Sequence, residues 1–154
     1  MSELRVPTVA MNAEITCLDG RSFRGRIFVP ASSSLHDGPM RAEEWLNAAG
    51  SFFPFLPDEA DTSVILNKVE VLTLSVPGEP ERPPEEHVDL DRCVVVECGA
   101  RELRGHLHID MPAHHSRVLD YLNRPEGFLA LHDGERLLLV QKQNITRVVE
   151  VRES

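Results

Sequence analysis

The chain has little of what usually announces a chemistry. Among its 154 residues are one Trp, one Tyr and six Phe. No apolar run is long enough to cross a bilayer. The opening MSELRVPTVAMNAE lacks the basic-then-apolar order of a signal peptide, so a cytoplasmic protein is the expectation. The three cysteines, Cys17, Cys93 and Cys98, are odd in number and fit no zinc spacing. They read as reduced and buried rather than as a disulfide scaffold. The glycines at 20–25 lie in a hairpin pattern and not before a helix, which excludes a phosphate-cradling loop. No basic amphipathic helix suggests a membrane surface. Ser32, Ser33, Ser34, His36 and Asp37 crowd into one short loop, whereas a triad draws its partners from separate elements. No catalytic residue and no cofactor motif emerges, and the chain is not expected to be an enzyme.

What is present is an uneven charge. The net charge is −9. Residues 11–76 carry nine acids against five bases, and residues 92–151 carry eight against eight. Residues 77–91, PGEPERPPEEHVDLD, carry six acids against Arg82, with four prolines. Such a composition buries little apolar surface and favours an extended spacer. The expected organisation is a first repeat over 1–76, an acidic Pro-rich linker over 77–91 and a second repeat over 92–154.

The repeats are visible once the linker is set aside. RAEEWLN (41–47) and RVLDYLN (117–123) share R-x-x-acid-aromatic-L-N. Upstream, RSFRGRIFV (21–29) matches RELRGHLHI (101–109). Downstream, VILNKVEVLTL (64–74) matches LLVQKQNITRV (138–148), with Lys68 falling on Lys142. Three blocks that agree in both residue type and spacing predict an internal duplication.

Each repeat reads as ββαββ, mainly β within an α+β class. AEITCLDG followed by FRGRIFV is an alternating hairpin with a DG turn, and VVVECG followed by ELRGHLHI is its counterpart. Gly25 and Gly105 sit inside the second strand, which predicts a bulge or sharp bend of the kind small closed barrels need. The heptad reads as a short helix, with Pro39 in the first turn of one and Ser116 as N-cap of the other. Arg41 pairs with Glu44, and Arg117 with Asp120. Trp45, Leu46, Tyr121 and Leu122 anchor the helix. Asn47 and Asn123 stop it in the left-handed conformation. FFPFL and FLALH give a third strand. A long fourth strand follows, or two strands bent at Lys68 and Lys142. The two repeats are expected to form two small barrels, or one pseudo-twofold core, because domains this small are marginal alone.

This order of signals resembles the Sm-like family of small SH3-type barrels. Gly20, Gly25 and Ile27 look like its first motif, while Gly99 and Gly105 are spaced six apart and depart from it. VILNKVEVLTL and LLLVQKQNITRV look like its second, and the likeness extends to the bacterial RNA-chaperone branch, where Lys heads the turn. The chain is also similar to a group of bacterial Sm-like proteins with an R/K-x-x-D/E-aromatic-L-N helix, which implies a fold and no activity. The family places its helix at the N-terminus, whereas here it lies between the second and third strands. The resemblance implies RNA as a partner, with Lys68 and Lys142 as phosphate contacts. The acidic balance opposes that, because RNA affinity rests largely on cations at phosphate.

The expected function is therefore that of a non-enzymatic interaction or scaffold protein, binding a protein partner or itself, with Sm-like RNA binding as the alternative. Candidate binding residues are Lys68, Lys142, Arg41, Arg117, Asn47 and Asn123. His106, His108, His114 and His115 form a cluster that reads first as an exposed polar sheet face. Its alternative is a metal site unique to the second repeat, since Arg26 and Phe28 occupy the matching positions of the first.

Overall fold

The computed structural model describes residues 7–48, 50–78, 90–109 and 117–151. The chain divides into two compact units, Met1–Val76 and Pro77–Ser154. Both are mainly β. The first runs β1 (Thr8–Cys17), β2 (Ser22–Pro30), α1 (Ala42–Asn47), β3 (Phe52–Pro57), β4 (Val64–Asn67) and β5 (Val71–Pro77). The second runs β6 (Leu90–Cys98), β7 (Arg101–Ile109), α2 (Val118–Leu122), β8 (Phe128–Asp133), β9 (Arg136–Gln141) and β10 (Arg147–Glu150).

Alternation explains the hairpins. Ala13, Ile15 and Cys17 of β1 face inward, as do Ile27 and Val29 of β2. Val94, Val96 and Cys98 of β6 do the same with Leu107 and Ile109 of β7. Burying one Ile, Leu, Val or Phe side chain contributes about 1.5–3 kcal/mol, so these stripes fix which face turns in. Gly20 turns the first hairpin at φ +90°, while Asp19 Oδ1 accepts from Arg21 N–H at 3.0 Å. Gly99, at φ +61°, opens the two-residue turn of the second.

Within each unit the ladders are antiparallel and follow one plan. The order is β5-β1-β2-β3-β4 in the first and β10-β6-β7-β8-β9 in the second. Residues matched in the sequence occupy the same rungs. Phe52 pairs with Asn67 as Phe128 pairs with Gln141, and Ala13 faces Gly25 as Val94 faces Gly105. The fourth strand breaks at the lysines. A 3₁₀ turn spans Lys68–Glu70 in one unit and Lys142–Asn144 in the other. It carries the chain from one edge of the sheet to the other, where β5 pairs with β1 and β10 with β6. β4 and β5 share no ladder, so the sheet does not close into the small barrel expected from the sequence.

Five expectations need correction. Gly25 and Gly105 mark no bulge in the hairpin, because the β1–β2 and β6–β7 registers run through them without a shift. They are glycine because the third strand comes too close: a Cβ on Gly25 would lie 2.1 Å from Leu56 O, and one on Gly105 2.7 Å from His132 O. The bulge present in the first unit lies between Thr16 and Cys17, against β5. Pro39 is not in the helix, since Met40 N–H is tied back to Pro30 O at 2.9 Å and α1 begins after Arg41. The N-cap of α2 is Arg117, and Ser116 lies outside the described residues. Neither Asn takes the left-handed conformation: Asn47 ends α1 within the helix, and Asn123 sits at φ −84°. Finally, β6 starts at Leu90, so Leu90 and Asp91 belong to the sheet and not to the linker, whose residues 79–89 lie outside the described residues.

Candidate functional site

The two lysines do the same mechanical work in both units. Lys68 Nζ donates to Ala48 O at 3.0 Å, and Lys142 Nζ donates to Arg124 O at 3.0 Å. Each acceptor is the carbonyl that follows the helix-terminal asparagine. Backbone bonds reinforce the link, from Lys68 N–H to Ser51 O and from Lys142 N–H to Gly127 O. The lysines thus tie the 3₁₀ turn to the helix end, where carbonyls lack intrahelical partners. Burial lowers the pKa of Lys68 from its ordinary value.

Lysine and asparagine therefore meet at one end of each helix, and the arginines stand at the other. Arg117 is exposed and pairs with Asp120, Nε to Oδ2 at 3.1 Å, as expected. In the first unit Glu44 closes a capping box with Arg41 and also reaches back into the preceding loop. Glu44 Oε2 accepts from Ser33 Oγ at 2.8 Å, and Glu44 Oε1 meets His36 Nε2 and the Arg41 N–H. Ser33 and His36 both bind the carboxylate rather than each other, so this is a latch between loop and helix and not a nucleophilic triad. The anchors also differ. Leu46 is buried and Trp45 stacks edge-on against Phe53 at 5.1 Å, whereas Tyr121 is buried beneath Arg124.

The histidine pattern on β7 is polar sheet surface. His106 Nδ1 lies 3.1 Å from Asp91 Oδ1, and His108 stacks face-on with His132 at 3.8 Å and 7°. Stacked rings aim their lone pairs along parallel lines, while chelation needs them to converge on one ion about 2 Å away. Among the described residues no group of three or more His, Cys, Asp or Glu is placed to hold a metal. His114 and His115 lie outside the described residues.

A further surface feature was missed in the sequence. The outer face of β3 and β4 pairs Pro54 with Ile65 and Phe52 with Asn67. Ile65 is 73% exposed and Phe52 61%, with Val69 exposed in the following turn. β4 ends the ladder of its unit and carries no charged residue. The matching positions of the second unit, Leu139 and Phe128, are 0% and 7% exposed. The signal was the uncharged TSVILN itself, since edge strands normally carry a charge or a proline.

No protein-family profile, curated protein or solved structure matches the chain. Among the described residues no helix is long and apolar enough to cross a membrane.

Proposed function

We propose that this chain is a tandem Sm-like interaction protein, built from a duplicated ββαββ unit and lacking catalytic activity. It binds a protein partner, or a second copy of itself, along the open edge of its first unit. The observation that carries this reading is the Phe52–Pro54–Ile65 face beside an uncharged terminal strand. An extended segment added to β4 would satisfy its outward N–H and C=O groups and cover those side chains. The β10 edge contrasts with it. There Arg147 is ion-paired to Glu97, and Arg92 to Glu150 at 3.8 Å. Charges of that kind discourage strand addition.

The test is self-association and partner capture by wild type and by Ile65→Asp. Losing a buried Ile contact of about 2 kcal/mol weakens binding by more than tenfold. Light scattering that gives one chain mass for both proteins, with no ligand lost on substitution, would defeat the reading.

Sm-like RNA binding is the second reading. It would use Lys68 and Lys142 with Arg41, Arg117, Asn47 and Asn123. Its difficulty is that both ammonium groups already donate to helix-end carbonyls, in a chain of net charge −9. Anisotropy of labelled single-stranded RNA at two salt concentrations decides it. Salt-sensitive binding that is lost in the Lys68→Ala, Lys142→Ala double variant would place RNA first.

A further inference from the structure

The uncharged β4 edge is bracketed by charge of one sign. Asp58, Glu59 and Asp61 lie in the connection that leads from β3 into β4, and Glu70 ends the 3₁₀ turn that leaves it. All four are exposed. Among the described residues none of their carboxylates is ion-paired, whereas Asp19, Glu14 and Glu44 of the same unit meet Arg21, Arg24 and His36. Residues 58–70 carry four acids against Lys68, and the Lys68 ammonium already donates to Ala48 O. The matching stretch of the second unit, residues 133–144, is balanced at two acids and two bases, and Asn144 stands where Glu70 does. The exposed apolar edge and the excess of acid thus occur together, in one unit only.

The backbone shows which residue of β4 meets an added strand. Lys68 N–H donates to Ser51 O at 2.8 Å, in register with the β3–β4 ladder. Bonded rungs alternate in an antiparallel pair, so Leu66 and Val64 are the β4 residues bonded to β3. Ile65, between them, turns its N–H and C=O to the open side, and its side chain is 73% exposed. A second copy's β4 is a poor occupant. Antiparallel pairing centred on Ile65 sets Ala60 opposite Glu70 at both ends, which brings the 58–61 acids of each chain beside Glu70 of the other, and facing like charges destabilise a ladder.

We infer that the β4 edge takes an extended polypeptide segment of a different protein, with an alternating apolar centre flanked by Lys or Arg. The inference rests on the docking reading above and chooses between its two occupants. The centre pairs with Ile65 and covers it together with Phe52. The flanking cations meet the acids on either side of β4.

The experiment is fluorescence anisotropy of labelled peptides titrated with the full chain at two salt concentrations. One peptide is Lys-Lys-Thr-Val-Thr-Val-Thr-Lys-Lys; the other has the same centre with Glu in place of each Lys. The expected result is binding of the Lys-flanked peptide that weakens with salt, roughly tenfold tighter than the Glu-flanked one, since several exposed ion pairs together amount to about that factor. Replacing the acids in Asp58→Asn, Glu59→Gln, Asp61→Asn should close most of the gap, and Ile65→Asp should abolish binding of both peptides. Equal binding of the two peptides, lost in Ile65→Asp, overturns the basic partner and leaves the docking edge standing. A wild-type dimer that Ile65→Asp dissociates does the same. Binding of the Lys-flanked peptide that survives Ile65→Asp, or no binding of either peptide, overturns the inference, and the docking reading is then decided by its own test. The variants change exposed side chains only, and Trp45 fluorescence checks that each is folded.

Discussion

Replacing Gly25 by alanine is the sharpest test of how the first unit is held together. The added Cβ would lie 2.1 Å from Leu56 O and 2.8 Å from Phe55 Cζ. Ordinary van der Waals contact would require β2 and β3 to separate by about 1 Å, and both obstacles are poor at yielding: one is backbone, the other a fully buried ring. β2 and β3 pair only at Gly25↔Pro57 and Arg26↔Leu56, so the separation threatens the whole ladder between them. Overpacking costs about 1–3 kcal/mol, and each lost hydrogen bond about 1 kcal/mol. Against this stands a gain of about 0.5–1 kcal/mol from reduced chain entropy. The expected net loss is about 2–4 kcal/mol. Gly105→Ala meets His132 O at 2.7 Å and the movable Leu131 Cγ at 2.8 Å, so its expected loss is smaller, about 1–2 kcal/mol. Gly134→Ala is the control: nothing lies within 4 Å of its Cβ, and only the left-handed φ of +59° opposes it, at about 1 kcal/mol. Urea unfolding is the assay. Trp45 is the single tryptophan and packs on Phe53, so its fluorescence reports the first unit. A Gly25→Ala protein within about 0.5 kcal/mol of wild type in that melt would refute the close-approach argument.

The paired lysines predict paired effects: Lys68→Met should weaken the first unit and Lys142→Met the second, each by about 1 kcal/mol after discounting for partial exposure, with faster amide exchange just after the affected helix. Stability unchanged in both would show that the clamps are incidental. The loop–helix latch predicts a pH dependence. The Asp37 carbonyl, then Glu44, raise the pKa of His36 above 6.5, so its contribution is complete below about pH 6.5 and is lost as pH rises through the raised value. Burial alone would raise Glu44, but Ser33, His36 and the Arg41 N–H together hold it below 4.5, so its contribution persists above about pH 4.5 and is lost as pH falls through the lowered value. The latch is therefore tightest between those limits. An NMR titration of His36 that gives a midpoint at or below 6.5, or one unchanged by Glu44→Gln, would contradict it.

Much of this fold was legible because its signals are local. Period-two alternation around Ile15 and Ile27 declares a hairpin whatever lies elsewhere in the chain, and the break at Lys68 and Lys142 is visible where an apolar run is interrupted by Lys-Val-Glu in one copy and Lys-Gln-Asn in the other. What was not legible is set by distant contacts. Gly25 looks the same in sequence whether it bends its own strand or admits a carbonyl from another, and only the position of Leu56 distinguishes the two. Pro39 before a helical pattern suggests a first turn, but the tie between Met40 and Pro30 keeps the chain extended one turn longer. Glu44 sits at the right spacing to pair with Arg41. Ser33 and His36, arriving from the preceding loop, reach its carboxylate.

The two units agree where physical necessity is strong and differ where it is weak. The tight glycine, the lysine on the helix-end carbonyl and the five-strand order occur in both, and each has a mechanical reason that requires no ligand. Three of the differences have no such mechanical reason. Ile65 and Phe52 stand exposed where Leu139 and Phe128 are buried. His106 and His108 replace Arg26 and Phe28. A Ser33–His36–Glu44 latch holds one helix where an Arg117–Asp120 pair decorates the other. A scaffold that needed only to fold could have kept these positions alike. An isoleucine left in water on an uncharged edge strand adds nothing to folding and risks aggregation. The proposed docking function would account for its presence by covering that surface with a partner, and Ile65→Asp puts the proposal to the test without touching the core.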